Sequence, residues 1–307
     1  MIYTPRPPRP PTPVTPTPRP QDPQRGVVDP AQPNPQPHLQ DMMEVVGALT
    51  GKVEINPGVL LKERSTQQSR ALTREFIKEQ FEGLGLTAED HKYSRSGTNV
   101  FATLPATNGS DEYIVVGAHY DSVHGGPGAN DNATGVAMVL DAARHLSGME
   151  DRTKSVIFVL FDEEEIGLRG SAAFAQSLRD QGLNVGSVHT VDQMGWDADG
   201  DRAVEIDGAS PKILALYQNA AKEGALEIPI QPVTFGSTDH VPFQDLGFDA
   251  MAISEEYVGG DTTPHYHTPR DTYETVNWDY LTSSTKLLDR ALEDLVELDP
   301  AAVKKTP

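Results

Sequence analysis

Ser155-Val156-Ile157-Phe158-Val159-Leu160-Phe161-Asp162-Glu163-Glu164-Glu165 carries an unbroken apolar run straight into four carboxylates. A run of that length, rich in β-branched and aromatic side chains and free of Gly and Pro, predicts a strand buried on both faces. Such a strand needs covering layers, and the neighbouring sequence supplies them. Residues 100–104, 113–118, 188–192, 203–206 and 250–254 read as further strands, while 133–146, 171–179, 212–222 and 278–298 read as helices. Residues 65–84 add a helix whose Leu72, Phe76, Phe81 and Leu84 form an approximate apolar stripe that faces the core and carries no chemistry. The alternation predicts an α/β domain with helices on both faces of a sheet.

Upstream of this region the composition changes. Of the 25 prolines, 14 fall between Pro5 and Pro37. Repeated units such as PRPPRPPTP remove backbone donors and favour extended polyproline II, so residues 1–38 are expected to form a semi-rigid tail. The folded domain is then expected over 39–307. The start, MIYTPRPPRP, lacks the apolar core of a signal peptide, and no run approaches the roughly 20 apolar residues of a membrane span. Neither an export signal nor a membrane span is therefore expected in the chain as written.

The whole chain carries −20 at pH 7, and its tail is slightly basic, so the acidity belongs to the rest. A surface of that sign repels phosphate backbones and argues against nucleic acid as a partner. The absence of cysteine excludes thiolate metal sites, disulfides and a Cys nucleophile. Any metal must be held by His, Asp and Glu.

Those residues collect where apolar strands end, the edge that forms the ligand crevice in open α/β sheets. His119 and Asp121 follow one strand, the Glu163–Glu165 triplet follows another and Asp192 a third. Asp131 lies just before a helix in GANDNATG, and His265-Tyr266-His267 lies in a Pro-flanked loop. Singly, each has an ordinary explanation: a His–carboxylate pair, a helix cap, a surface charge run, a solvated loop. Ser237-Thr238-Asp239-His240 likewise reads first as a helix cap, and His38, His91, His124, His145 and His189 have no supporting context. Together, two imidazoles and several carboxylates form a hard, sulfur-free donor set suited to two zinc ions, which in such sites lie about 3.5–4 Å apart.

In this arrangement the sequence resembles the co-catalytic zinc aminopeptidases of metallopeptidase family 28. The resemblance rests on GAHYDSV, GANDNATG, FDEEEIGLRGS, VDQMG, STDHVPF and HYHTPRDT, in family order across roughly residues 99–275. It implies a three-layer α/β/α sandwich around a mixed, mostly parallel sheet, with no inserted lid domain. It also implies two zinc ions bridged by Asp131, one completed by Glu165 and His267 and the other by His119 and Asp192. Asp121 would support His119, a cis peptide would fall at Asp131-Asn132, and Asn132 replaces a commonly acidic residue. The family's glutamate pair precedes x-Gly-Leu-x-Gly-Ser, here Ile166 to Ser171, which makes Glu164 the general base, Glu165 the ligand, and leaves Glu163 without a role. Tyr266, just before the last His ligand, is the implied oxyanion donor.

The activity implied is hydrolysis of the N-terminal peptide bond of peptides with a free amine, by a monomer. Many bacterial relatives are exported, so a secreted or envelope location is favoured by resemblance alone. Two alternatives share the fold: a single-zinc glutaminyl cyclase-like acyltransferase, which lacks the second site, and a non-catalytic binding domain, which would have lost ligands or base.

Overall fold

A computed structural model of the chain describes residues 38–297. The Pro-rich stretch read as a tail lies, except for His38, outside the described residues. The elements run α1 (Leu39–Leu49), α2 (Gln67–Gly83), β1 (Ala88–Lys92), β2 (Thr98–Leu104), β3 (Glu112–His119), α3 (Thr134–Ser147), β4 (Ser155–Phe161) and α4 (Arg169–Gln181). After these come β5 (Asn184–Val191), β6 (Val204–Asp207), α5 (Pro211–Glu223), β7 (Ile230–Val233), α6 (Val241–Asp245), β8 (Ala250–Ser254) and α7 (Trp278–Val296).

The strands make one mixed sheet in the order β1-β2-β4-β3-β5-β8-β6-β7. The central strands β4, β3, β5 and β8 run parallel; β1 and β2 pair antiparallel at one side, and β6 is antiparallel to β8. This is the α/β architecture expected from the sequence.

β4 is buried along its entire length. Its alternation explains why: Val156, Phe158 and Leu160 pack into the core shared with α1, α3, α5 and α7. Ile157, Val159 and Phe161 face the opposite layer, where α4 contributes Phe174 and Leu178 and α6 contributes Phe243. Full burial of each such side chain contributes about 1.5–3 kcal/mol relative to exposure, so a strand apolar on both faces is stable only between two layers.

Helix α2 begins with a capping box in which Thr66 and Ser69 satisfy each other's backbone donors. Its buried side chains are Arg70, Thr73, Ile77 and Phe81, while Leu72, Phe76 and Leu84 pack partly buried against the core. The expected helix cap at 237–240 is corrected. Helix α6 does follow, but no side chain caps it, because Thr238 donates its hydroxyl to Asp192 at 2.7 Å instead.

Because β3, β4 and β5 are parallel, their carboxyl ends share one edge of the sheet. His119 closes β3, Asp162 follows β4 and Asp192 follows β5.

Candidate metal centre and cleft

His119 is buried, and its Nε2 lies 3.2 Å from Asp131 Oδ1 and 3.4 Å from Asp192 Oδ1. On the other side of Asp131, His267 Nε2 stands 3.3 Å from its Oδ2 and 3.1 Å from Glu165 Oε2. Two donor sets therefore share one carboxylate: His119, Asp131 and Asp192, and Asp131, Glu165 and His267, each with donor atoms within 4.8 Å of one another. Glu164 Oε2 approaches His119 at 3.9 Å, so His119, Glu164 and Glu165 form a further overlapping group.

The backbone holding Asp131 is unusual and heavily braced. The Asp131-Asn132 peptide is cis. Asp271 accepts the N–H groups of Asn130 at 2.8 Å and Asp131 at 3.0 Å, and the Asn132 amide donates to Val191 O at 2.8 Å. Gly128 precedes them at φ +64°, where a Cβ would meet Asp131 O at 2.4 Å and Ser122 Cβ at 2.7 Å. Only glycine fits that approach. Beneath it, the fully buried Arg64 donates to Tyr120 O, Leu49 O and Gly128 O. Burial lowers the Arg64 pKa to about 10, with Asp271 and Asp121 acting in the opposite direction.

The glutamate triplet is sorted by its neighbours. Asp121 accepts the Glu164 N–H on Oδ1 at 3.1 Å and the Glu165 N–H on Oδ2 at 3.3 Å, and its carboxylate lies 3.5 Å from His119 Nδ1. Glu163, at φ +59°, turns away. Its carboxylate takes Arg70 at 3.1 Å and the Tyr93 hydroxyl at 3.3 Å. Arg70 Nε also lies 2.9 Å from Asp162 Oδ1, an ion pair too bent to count as a hydrogen bond.

The electrostatics are those of crowded acids. Burial pushes the Glu164 carboxyl up to about 10; His119 resists this, while Asp239, Asp192 and Asp131 add to it. Burial acts to lower the His119 pKa, but Glu164 and the contacts to Asp121, Asp131 and Asp192 outweigh it and hold the imidazole well above its usual value. Hydrogen bonds to Asp131 and Glu165 raise His267 to about 10. Among the described residues, no Lys or Arg lies within 4.0 Å of the carboxylates of Asp131, Glu164, Glu165 or Asp192. His119 Nε2, Asp192 Oδ1 and Glu165 Oε1 are buried without a hydrogen-bond partner. Buried polar atoms are seldom left so, and orphaned nitrogen and oxygen donors converging without sulfur fit divalent zinc.

Tyr266 stacks on His267, with ring centroids 3.7 Å apart, at the rim of the same cleft. The structure thus brings together all eight side chains singled out above: His119, Asp121, Asp131, Glu164, Glu165, Asp192, Tyr266 and His267. Of the other histidines, His189 is buried against Tyr217 and Ser187, away from the donors. Sequence reading missed Arg64, Arg70 and Asp271 as supports. It also missed Glu205 and Asp207, which line the cleft from β6. The signal for the last two was present, since Val204-Glu205-Ile206-Asp207 alternates apolar with acidic.

The matches to known proteins cover this region. Aminopeptidase YwaD of Bacillus subtilis is 32% identical over 205 residues, 63% of this chain and 44% of that protein. A probable leucine aminopeptidase of Trichophyton verrucosum is 29% identical over 220 residues, 66% of this chain and 58% of its own. The chain spans about half the length of the curated relatives it matches. Among solved structures, BSAP, a zinc aminopeptidase from Bacillus subtilis, aligns with a TM-score of 0.62 and 27% identity over 68% of this chain and 52% of that one. The Legionella pneumophila LapA aminopeptidase shares the fold, with a TM-score of 0.74 and 20% identity over 85% of this chain and 73% of that one. The family model described as peptidase family M28 matches residues 99–291, well over half of the chain and every side chain of both donor sets, and the protein belongs to that family.

Proposed function

We propose that the chain is a zinc-dependent aminopeptidase that hydrolyses the N-terminal peptide bond of peptides with a free amine. The observation that carries this reading is the pair of donor sets sharing Asp131, with the buried Glu164 beside them. His119, Asp131 and Asp192 would hold one zinc ion, and Asp131, Glu165 and His267 a second. Bound zinc lowers the pKa of water toward neutrality and polarises a carbonyl oxygen.

The chain's own groups divide the remaining work. With zinc at the neighbouring donor sets opposing the burial and acid crowding that raise its pKa, Glu164 as a carboxylate accepts a proton from the attacking water and returns it to the leaving amine. Asp121 fixes the backbone of Glu164 and Glu165 and orients His119. Burial raises the Tyr266 pKa, with Asp131 and Asp192 adding to the effect, so its phenol keeps the proton with which it can donate to the developing oxyanion. A single-zinc acyltransferase would have no use for His119 and Asp192 as ligands, and here His119 Nε2 lies 3.2 Å from Asp131 and 3.4 Å from Asp192, which favours the two-metal reading.

Metal analysis combined with a chelator-controlled assay on free and N-acetylated peptides tests the reading. Two zinc ions per chain and cleavage of only the free peptide are expected. Equal cleavage of both forms, or none of either, would overturn it.

A further inference from the structure

The cleft, about 230 Å³, does not stop at the metal donors; it crosses β8 and reaches the face of β6. Strand β6 is short and alternates. Val204 and Ile206 join the core beneath the helices, while Glu205 and Asp207, two residues apart, face the cleft. Its antiparallel register sets Glu205 opposite Ser254 and Asp207 opposite Ala252 on β8. Both β8 side chains are small and line the cleft, so nothing bulky separates the donor cluster from these two carboxylates. The sides of the passage are apolar, built from Val233, Phe235, Tyr257 and Val258, with the Phe235 and Tyr257 rings 4.9 Å apart.

The two carboxylates at this inner end, 1% and 5% exposed, have no Lys or Arg partner among the described residues. Glu205 accepts the N–H groups of Val258 at 2.9 Å and Gly259 at 2.6 Å. Asp207 accepts those of Phe235 at 2.8 Å and Gly236 at 3.0 Å, and His240 Nε2 lies 3.6 Å from it. These amides fix the carboxylates and pin the two loops that carry the apolar walls, but an amide dipole does not cancel a full charge. Among the described residues, no Lys or Arg lines the cleft. Zinc ions at the donor sets would offset Asp131, Glu165, Asp192 and their neighbour Glu164, leaving the β6 pair as the cleft's net negative charge beside apolar walls of which Phe235 and Val258 are half exposed. Such a cleft attracts a cation. Apolar sides with an acidic end suit a side chain made of a methylene stem and a cationic head.

We propose that this inner cleft receives the side chain of the substrate's N-terminal residue and selects lysine or arginine. Glu205 is the principal determinant, because Asp207 already has His240 beside it. The proposal rests on the aminopeptidase reading and names its substrate class.

Matched peptides test it: X-Ala-Ala with X arginine against its uncharged isostere citrulline, and lysine against norleucine, on the zinc-loaded full chain. The expected kcat/KM ratio favours the cationic member by about tenfold or more, the range set by one charge-assisted hydrogen bond. Added salt lowers the ratio. In Glu205→Gln the ratio falls toward unity. Wild-type protein that cleaves the uncharged members as well as the cationic ones would overturn the proposal, and so would a ratio retained in both Glu205→Gln and Asp207→Asn. The wild-type comparison needs no variant, so a folding defect in either substitution leaves the test standing. Hydrolysis of none of the four peptides would sink the aminopeptidase reading itself, and this inference with it.

Discussion

Glu164 and Glu165 are neighbours with the same side chain, and their surroundings set them apart. Glu165 reaches His267 at 3.1 Å, whereas Glu164 stops 3.9 Å from His119 and belongs to neither of the two sets that share Asp131. Glu164→Ala is expected to keep both zinc ions while kcat falls by about 10²–10⁴, the usual contribution of a positioned general base. Glu165→Ala should instead lose metal. Metal analysis beside steady-state kinetics separates the two, and metal loss in Glu164→Ala would show that the roles are displaced by one residue. The proposed division follows from the family resemblance, in which a glutamate pair precedes x-Gly-Leu-x-Gly-Ser, here Ile166 to Ser171. The place of Glu163 was not legible in the sequence, because its partners Arg70 and Tyr93 lie 93 and 70 positions away and only folding brings them together.

Elements were legible to the extent that their burial left a pattern. β4 is covered on both faces and reads as an uninterrupted apolar run; β1, Ala88–Lys92, sits at the sheet edge with largely exposed polar side chains and gives no such signal. β7 occupies the opposite edge and contains Pro232, which is tolerated there because an edge strand can spare a donor. α2 was foreseen as a core helix without chemistry, yet its Arg70 reaches the strand end that carries the glutamates. The helix lies outside residues 99–291, so this support comes from beyond the matched family region. Arg70 and its partners Asp162 and Glu163 are all buried, and removing one member of a buried ion pair strands the other charges. Arg70→Met is therefore expected to destabilise the protein by about 3–5 kcal/mol, read from the urea midpoint at constant m. A midpoint within experimental error of wild type would refute the idea that α2 anchors the β4 exit.

At the scale of the molecule, the donors come from five separate stretches: the end of β3, the turn before α3, the exit from β4, the exit from β5 and the loop around His267. Their carboxylates crowd without a nearby Lys or Arg, so the apo fold bears repulsion that a bound cation relieves. A ligand that binds only the folded state stabilises it by mass action, about 2.7 kcal/mol when present at 100 times its Kd. For a domain of this size each kcal/mol moves the melting temperature by roughly 2–4 °C, so one saturated site should raise it by about 5–10 °C. The rise should persist in Glu164→Ala, whose carboxylate is not a ligand in this reading, and shrink in His267→Ala, which removes a donor from one set. Calorimetry on chelated and zinc-titrated protein measures it. A melting temperature indifferent to zinc would count against metal binding at these residues altogether, whereas a rise lost in His267→Ala but untouched by His119→Ala would leave only the Asp131, Glu165 and His267 ion and would move the molecule toward the single-metal chemistry of its acyltransferase alternative.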